Sequence, residues 1–258
     1  MPIVNAERIA ESVAVAAVPE KGTSAALQFK AFVNRYFYFL MSLLFATVVV
    51  SGFSRTVNAS LFHAAPPRPL LLWIHGAVFA SWVVFFIAQS TLVRVRKVSR
   101  HRFMGWFGAG LATLMVPLGV AIAIVMARFD AVQLHMSDAD AFLSIPFYGM
   151  IAFAVSIALA IYWRKRPEFH RRLMFVATCG LMDAAFARFD FVYDHHLFFV
   201  CVDLLIILGV VRDLVVDGRV HKVYRYALPA VIVGQNFAMY LWRVDPGWWR
   251  AVTRPILG

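Results

Sequence analysis

Charged residues are scarce in this 258-residue chain: 15% of positions carry a charge, against about 25% in a soluble domain. No stretch between apolar runs exceeds about 16 residues, which leaves no room for a separate soluble domain. There are two cysteines, Cys179 and Cys201, both inside apolar runs. Their placement reads as small apolar packing and gives no disulfide framework. Residues 1–30 lack the basic n-region of a signal peptide. No run shows the apolar/polar alternation of a β-barrel, none is interrupted by a Gly-Pro pair, and no helical His-x-x-x-His zinc signature is present.

Apolar sequence fills the space these absences leave. Hydrophobic residues make up 62% of the chain, with a mean hydropathy of +0.73. Seven runs are long enough to span a bilayer: roughly 36–53, 70–93, 103–127, 142–163, 172–189, 196–216 and 224–243. Lipid tolerates no unpaired backbone, so the runs read as helices. The expected fold is an all-α polytopic membrane protein of seven helices. Residues 1–32 form an N-terminal segment, disordered or lying on the membrane surface, in which Asn5 caps a short helix over Ala6–Val18. Residues 33–245 form the helical domain, and 246–258 a short tail.

Lysine and arginine set the orientation. Loops 94–102, 164–172 and 212–225 carry five, five and four of them. Loops 54–69, 128–141 and 188–195 carry two, one and one. The basic loops are therefore cytoplasmic, with the N-terminus inside and the C-terminus outside. A bacterial inner membrane is the expected location. The formal charge of +11 is largely this positive-inside signal and calls for no nucleic acid. Trp106 and Trp163 fall at the inner interface, and Trp73, Trp242, Trp248 and Trp249 at the outer one, as an aromatic belt.

Within the runs lie His75, Asp183 and Asp203. Counting helical rise from the outer ends places all three about 8–11 Å deep. Gln235, Asn236 and Tyr148 reach a similar level. Charge in hydrocarbon costs at least ~2.5 kcal/mol per group, so a layer of this kind is a candidate site. The alternative is a structural hydrogen-bond network. On the second run, His75, Phe79, Trp82, Phe86 and Gln89 form one stripe that should face other helices.

Two basic hairpins repeat a motif: a cluster of arginines, then His101-Arg102 or His170-Arg171-Arg172 opening the next helix, then Met104 or Met174. Arg102, Arg171 and Arg172 beside helix N-termini suit an anion, either the phosphate of an acidic lipid headgroup or an acidic cofactor group, where they are not simply snorkelling positive-inside charges. His75, His101 and His170 are candidate ligands for haem b or a metal ion.

The order His75, Gln89, basic loop, His101-Arg102 with Gly105-Trp106, then Arg166-Pro167-Glu168-Phe169-His170-Arg171-Arg172-Leu173-Met174 resembles a family of uncharacterised bacterial multi-pass membrane proteins, over about residues 70–190. More loosely, histidines on successive helices are similar to those of two-haem b-type transmembrane cytochromes. That likeness implies paired histidines at matched depths, with His101 and His170 as one pair. Two functions are then expected to compete: a cofactor-binding, redox-linked membrane protein, or a proton-coupled transporter or small-molecule sensor using the same polar layer. A non-catalytic accessory subunit is a third. No residue is assigned a catalytic role.

Overall fold

A computed structural model describes residues 21–257, and every described element is helical. The expected helix over Ala6–Val18 lies outside the described residues. In chain order the helices are α1 (Lys21–Phe53), α2 (Leu70–Arg94), α3 (Val98–Gln133), α4 (Ala139–Phe142), α5 (Ser144–Tyr162), α6 (Pro167–Gly180), α7 (Asp183–Phe186), α8 (Asp190–Asp194), α9 (Phe198–Asp217), α10 (Lys222–Val244) and α11 (Gly247–Leu257). A π-helical turn at Asn58–Phe62 lies between α1 and α2.

Four helical stretches are long and apolar enough to cross a membrane: Ser24–Phe53, Leu70–Arg94, Val98–Gln133 and Ala139–Tyr162. Helices α9 and α10 have 20 and 23 residues, a spanning length, but α9 carries Asp203, Arg212, Asp213 and Asp217. Large apolar side chains cover the outside. Phe103, Phe107, Val84 and Val233 are each about two-thirds exposed or more, which suits a lipid solvent and would be a liability in water.

The structure adds two details to the sequence reading and changes a third. Helix α1 starts at Lys21, so residues 21–32 are helical. The run Ala25-Ala26-Leu27-Gln28, with Lys30 and Ala31 and no proline, favours this. The 246–258 tail is mostly helix: α11 packs Trp249 and Thr253 inward, while Arg128 donates to the Ile256 carbonyl at 2.9 Å from Nε. The fifth apolar run is not one helix but two, α6 and α7, separated by a turn at Leu181–Met182.

Helix α6 is the centre of the bundle. Half of its fourteen residues are buried, including Arg172, Leu173 and Phe175 through Cys179. One face joins Phe45, Phe86, Ile206 and Tyr224 in the main core. Ala177 joins Trp82, Met115 and Phe153 in a second core. The expected stripe on α2 does face inward: Trp82, Phe86 and Gln89 are buried. Helix α9 ends on Gly218, whose φ of 66° is left-handed and comfortable only without a side chain. That turn returns the chain into α10.

Candidate functional site

The break in the fifth run places a carboxylate inside the bundle. After Gly180 the hydrogen bonds tighten: Leu181 N–H donates to the Thr178 carbonyl at 3.3 Å, and Met182 N–H to Cys179 at 3.0 Å. Regular i to i−4 bonding resumes only at Phe186, donating to Met182 at 2.9 Å. Asp183 opens the new segment, and its Oδ1 accepts the Ala184 N–H at 2.5 Å. A short carboxylate that bonds nearby backbone favours helix starts over helix interiors, which is a physical reason for the break here.

The break is held from outside by α1. A Cβ on Gly52 would lie 2.4 Å from the Ala185 carbonyl oxygen, a backbone atom. Gly52→Val is therefore expected to destabilise the fold by about 1–3 kcal/mol through overpacking. Thermal unfolding in detergent would register it, and an unchanged midpoint would show that α1 does not support the segment. Arg188, five residues on, donates to the Ala184 carbonyl and stacks 3.9 Å over the Phe53 ring.

Beside the break is a small cavity lined by Tyr148, Ser156, Gly180, Asp183 and Gln235 among apolar neighbours. The space open to a water's centre is about 20 Å³, enough for about one water. Tyr148 donates its hydroxyl to the Val231 carbonyl at 2.8 Å, and its ring edge packs on Gly234, where a Cβ would come within 2.2 Å. Asp183 and Asp203 both lie within electrostatic range of that hydroxyl. Gln235 is the polar neighbour of Asp203, whose Oδ1 is otherwise buried without a partner.

The expected layer thus converges in part. Tyr148, Asp183 and Gln235 share one cavity, with Asp203 next to it. Asn236 faces away, exposed, donating to the Ile232 carbonyl at 2.7 Å. His75 stacks on Phe79 at 4.0 Å and lies on the Arg188 side of the layer, its Nδ1 unpartnered.

At the basic-loop end the structure builds a second polar cluster. Arg172, 1% exposed, meets Asp213, 0% exposed, at 2.6 Å. It also reaches Asp217 at 2.9 Å and Glu168 at 2.6 Å. Arg212, equally buried, bonds Asp213 at 2.9 Å and Asp217 at 2.8 Å, and donates to Asn34 of α1. The His221 N–H donates to Asp213 at 3.2 Å. Helices α1, α6, α9 and α10 are thereby tied at one point.

The guanidinium of Arg172 is fully engaged by three carboxylates and the Glu168 backbone carbonyl, so it has no donor left for a lipid phosphate. Arg171 is partly engaged, by Glu168 at 2.5 Å, and Arg102 is exposed. Sequence reading counts Arg212 as a loop charge and passes over Asp213 and Asp217. The available signal was Arg212-Asp213 with Asp217 inside an otherwise apolar helix.

His101 and His170 meet edge to face, ring centroids 6.2 Å apart and planes at 73°. His170 Nδ1 bonds the Ala160 carbonyl at 2.9 Å, which fixes its ring and leaves Nε2 as its free nitrogen. The pair offers two donors, and no group of three or more His, Cys, Asp or Glu poised to hold a metal occurs among the described residues. Comparison with family models, curated proteins and solved structures gives no match to this chain.

Proposed function

We propose that this chain is a seven-span, proton-coupled membrane transporter in which Asp183 is the proton-binding carboxylate. One observation carries the reading: the fifth apolar run is broken at Leu181–Met182, and the break sets a carboxylate on a water-sized cavity. Discontinuous helices are the usual way transporters place ion-binding groups at depth. A carboxylate in hydrocarbon keeps its charge only with a partner, and otherwise takes up a proton. Tyr148, Gln235 and Asp203 supply the polar surroundings in which that proton is held and released.

In this reading α6 and α7 together form the fifth span, and α9 and α10 the sixth and seventh. The basic loops face the cytoplasm, so the Arg172 cluster lies at the inner end while the Asp183 cavity lies toward the outer side. Orientation is checked by labelling: Ser99→Cys should be protected from an impermeant thiol reagent in intact cells, and Ser137→Cys should react. The reverse pattern would invert the two ends of the site.

The site itself is tested by infrared difference spectroscopy of the reconstituted protein between acid and neutral pH. A protonated-carboxyl band should appear in the wild type, vanish in Asp183→Asn and persist in Asp203→Asn. A spectrum unaffected by Asp183→Asn would remove Asp183 from the proton's path.

A further inference from the structure

Between the Asp183 cavity and the Arg172 cluster lie two phenols whose hydroxyls bond to nothing. Tyr38 Oη and Tyr224 Oη are both buried without a partner. A buried polar group left unpaired costs about 1–3 kcal/mol, so two in one region call for a reason. Their rings flank Phe175, at centroid distances of 6.0 Å for Tyr38 and 6.4 Å for Tyr224. The Tyr224 hydroxyl rests on Gly209, where a Cβ would lie 2.3 Å away. Glycine at that position is what gives the hydroxyl room.

The two hydroxyls lead in opposite directions. Ile206, three residues from Gly209 on α9, lines the Asp183 cavity. Three residues of helix cover about 4.5 Å, less than one turn. Buried Cys179 neighbours Tyr224 and directly precedes Gly180, which lines the cavity. On the other side, the Tyr38 ring lies 5.9 Å from the Arg212 guanidinium and 5.7 Å from that of Arg171. Asp213 and Arg172 are near both phenols. The cluster itself opens to solvent through Glu168, 53% exposed, and Asp217, 36% exposed.

The geometry points to an inner half-pathway that carries protons from Glu168 and Asp217, past Asp213, through the hydroxyls of Tyr38 and Tyr224, to Asp183. It rests on the reading of Asp183 as the proton-binding group. In each transfer a hydroxyl releases its own proton toward Asp183 as it takes one from the cluster side. One proton leaves the inner solvent, one arrives on the Asp183 carboxylate, and both phenols end unchanged. A hydroxyl already locked to a fixed acceptor would do this poorly. The lack of fixed partners leaves each free to turn between two neighbours.

The experiment follows the Asp183 carboxyl band in oriented proteoliposomes after a pH jump applied to one face at a time. In the wild type the band should respond to a jump at the inner face. Tyr224→Phe and Tyr38→Phe should slow that response by about a hundredfold and leave the response to an outer jump unchanged. Both variants should fold at least as stably as the wild type, because each removes an unmade hydrogen bond. Wild-type rates from the inner face in both variants would overturn the pathway while leaving Asp183 in place. A band that answers neither face in the wild type would overturn the reading of Asp183 and the pathway with it. If Tyr224→Phe does not fold, Tyr38→Phe alone decides.

Discussion

Replacing Arg172 with glutamine should destabilise the bundle by about 3 kcal/mol, the low end of breaking a buried ion pair, because Asp213 keeps Arg212 and the His221 N–H as partners. Arg172 bonds Asp213 through Nε at 2.8 Å and through Nη2 at 2.6 Å, and neither side chain reaches solvent. The same guanidinium bridges Glu168 and Asp217, so its loss loosens α6 from α9 at one stroke. Unfolding in detergent micelles measures the effect. Arg171→Gln is the control: it faces Glu168 on the exposed rim and should cost no more than about 1 kcal/mol. The double variant Arg172→Met with Asp213→Leu should recover much of the stability, because both charges go together. A loss equal to that of Arg172→Gln would show that the cluster acts through shape and not through charge.

Acid should weaken the same cluster. Burial pushes the Glu168 carboxyl up, but the Arg172 hydrogen bond and the charges of Arg171, Arg172 and Arg212 outweigh it and hold the group below its usual range. A depressed carboxyl contributes stability above its unfolded value and loses it as pH falls through the folded one. Burial, then the charge of Arg172, lowers the His221 imidazole, which likewise favours the folded state until acid protonates the ring. Both groups therefore give a bundle that loosens on the acid side.

The second large effect belongs to Asp183. Asp183→Asn keeps the shape and the bond to the Ala184 N–H but cannot take up and release a proton, so proton movement should fall by a hundredfold or more, on the order of a lost acid–base group. Asp183→Glu retains the chemistry, displaced by one methylene, and should keep part of the activity. Asp203 lies beside the cavity and not on it. Asp203→Asn should have the smaller effect of the two aspartate removals, though still larger than that of Asp203→Glu.

Much of this layer was legible because depth is simple arithmetic in a helix. Counting 1.5 Å per residue brought Tyr148, Asp183, Asp203 and Gln235 to one level, and the structure gathers them around one cavity and its edge. Depth does not give azimuth. Asn236 is one residue from Gln235, about 100° around the helix, and points outward. His75 has the right depth but turns to Phe79 and the Arg188 side.

The break at Leu181–Met182 was hidden because no proline marks it. Gly180 and Asp183 weaken a helix there without forbidding one, and the close approach of Gly52 to Ala185, which accommodates the broken path, is visible only in the packed structure. The Arg172 cluster was hidden for a different reason. Counting basic residues by loop treats them as solvated, and a pair separated by 41 positions is invisible until the helices pack.

The most direct measurement is proton entry into dye-loaded proteoliposomes under an imposed membrane potential. The wild-type chain should acidify the lumen faster than protein-free vesicles, and Asp183→Asn should return the rate to that of the empty vesicles. A wild-type rate no higher than that of empty vesicles, or an Asp183→Asn rate equal to the wild type, would contradict the assignment of Asp183 as the proton carrier.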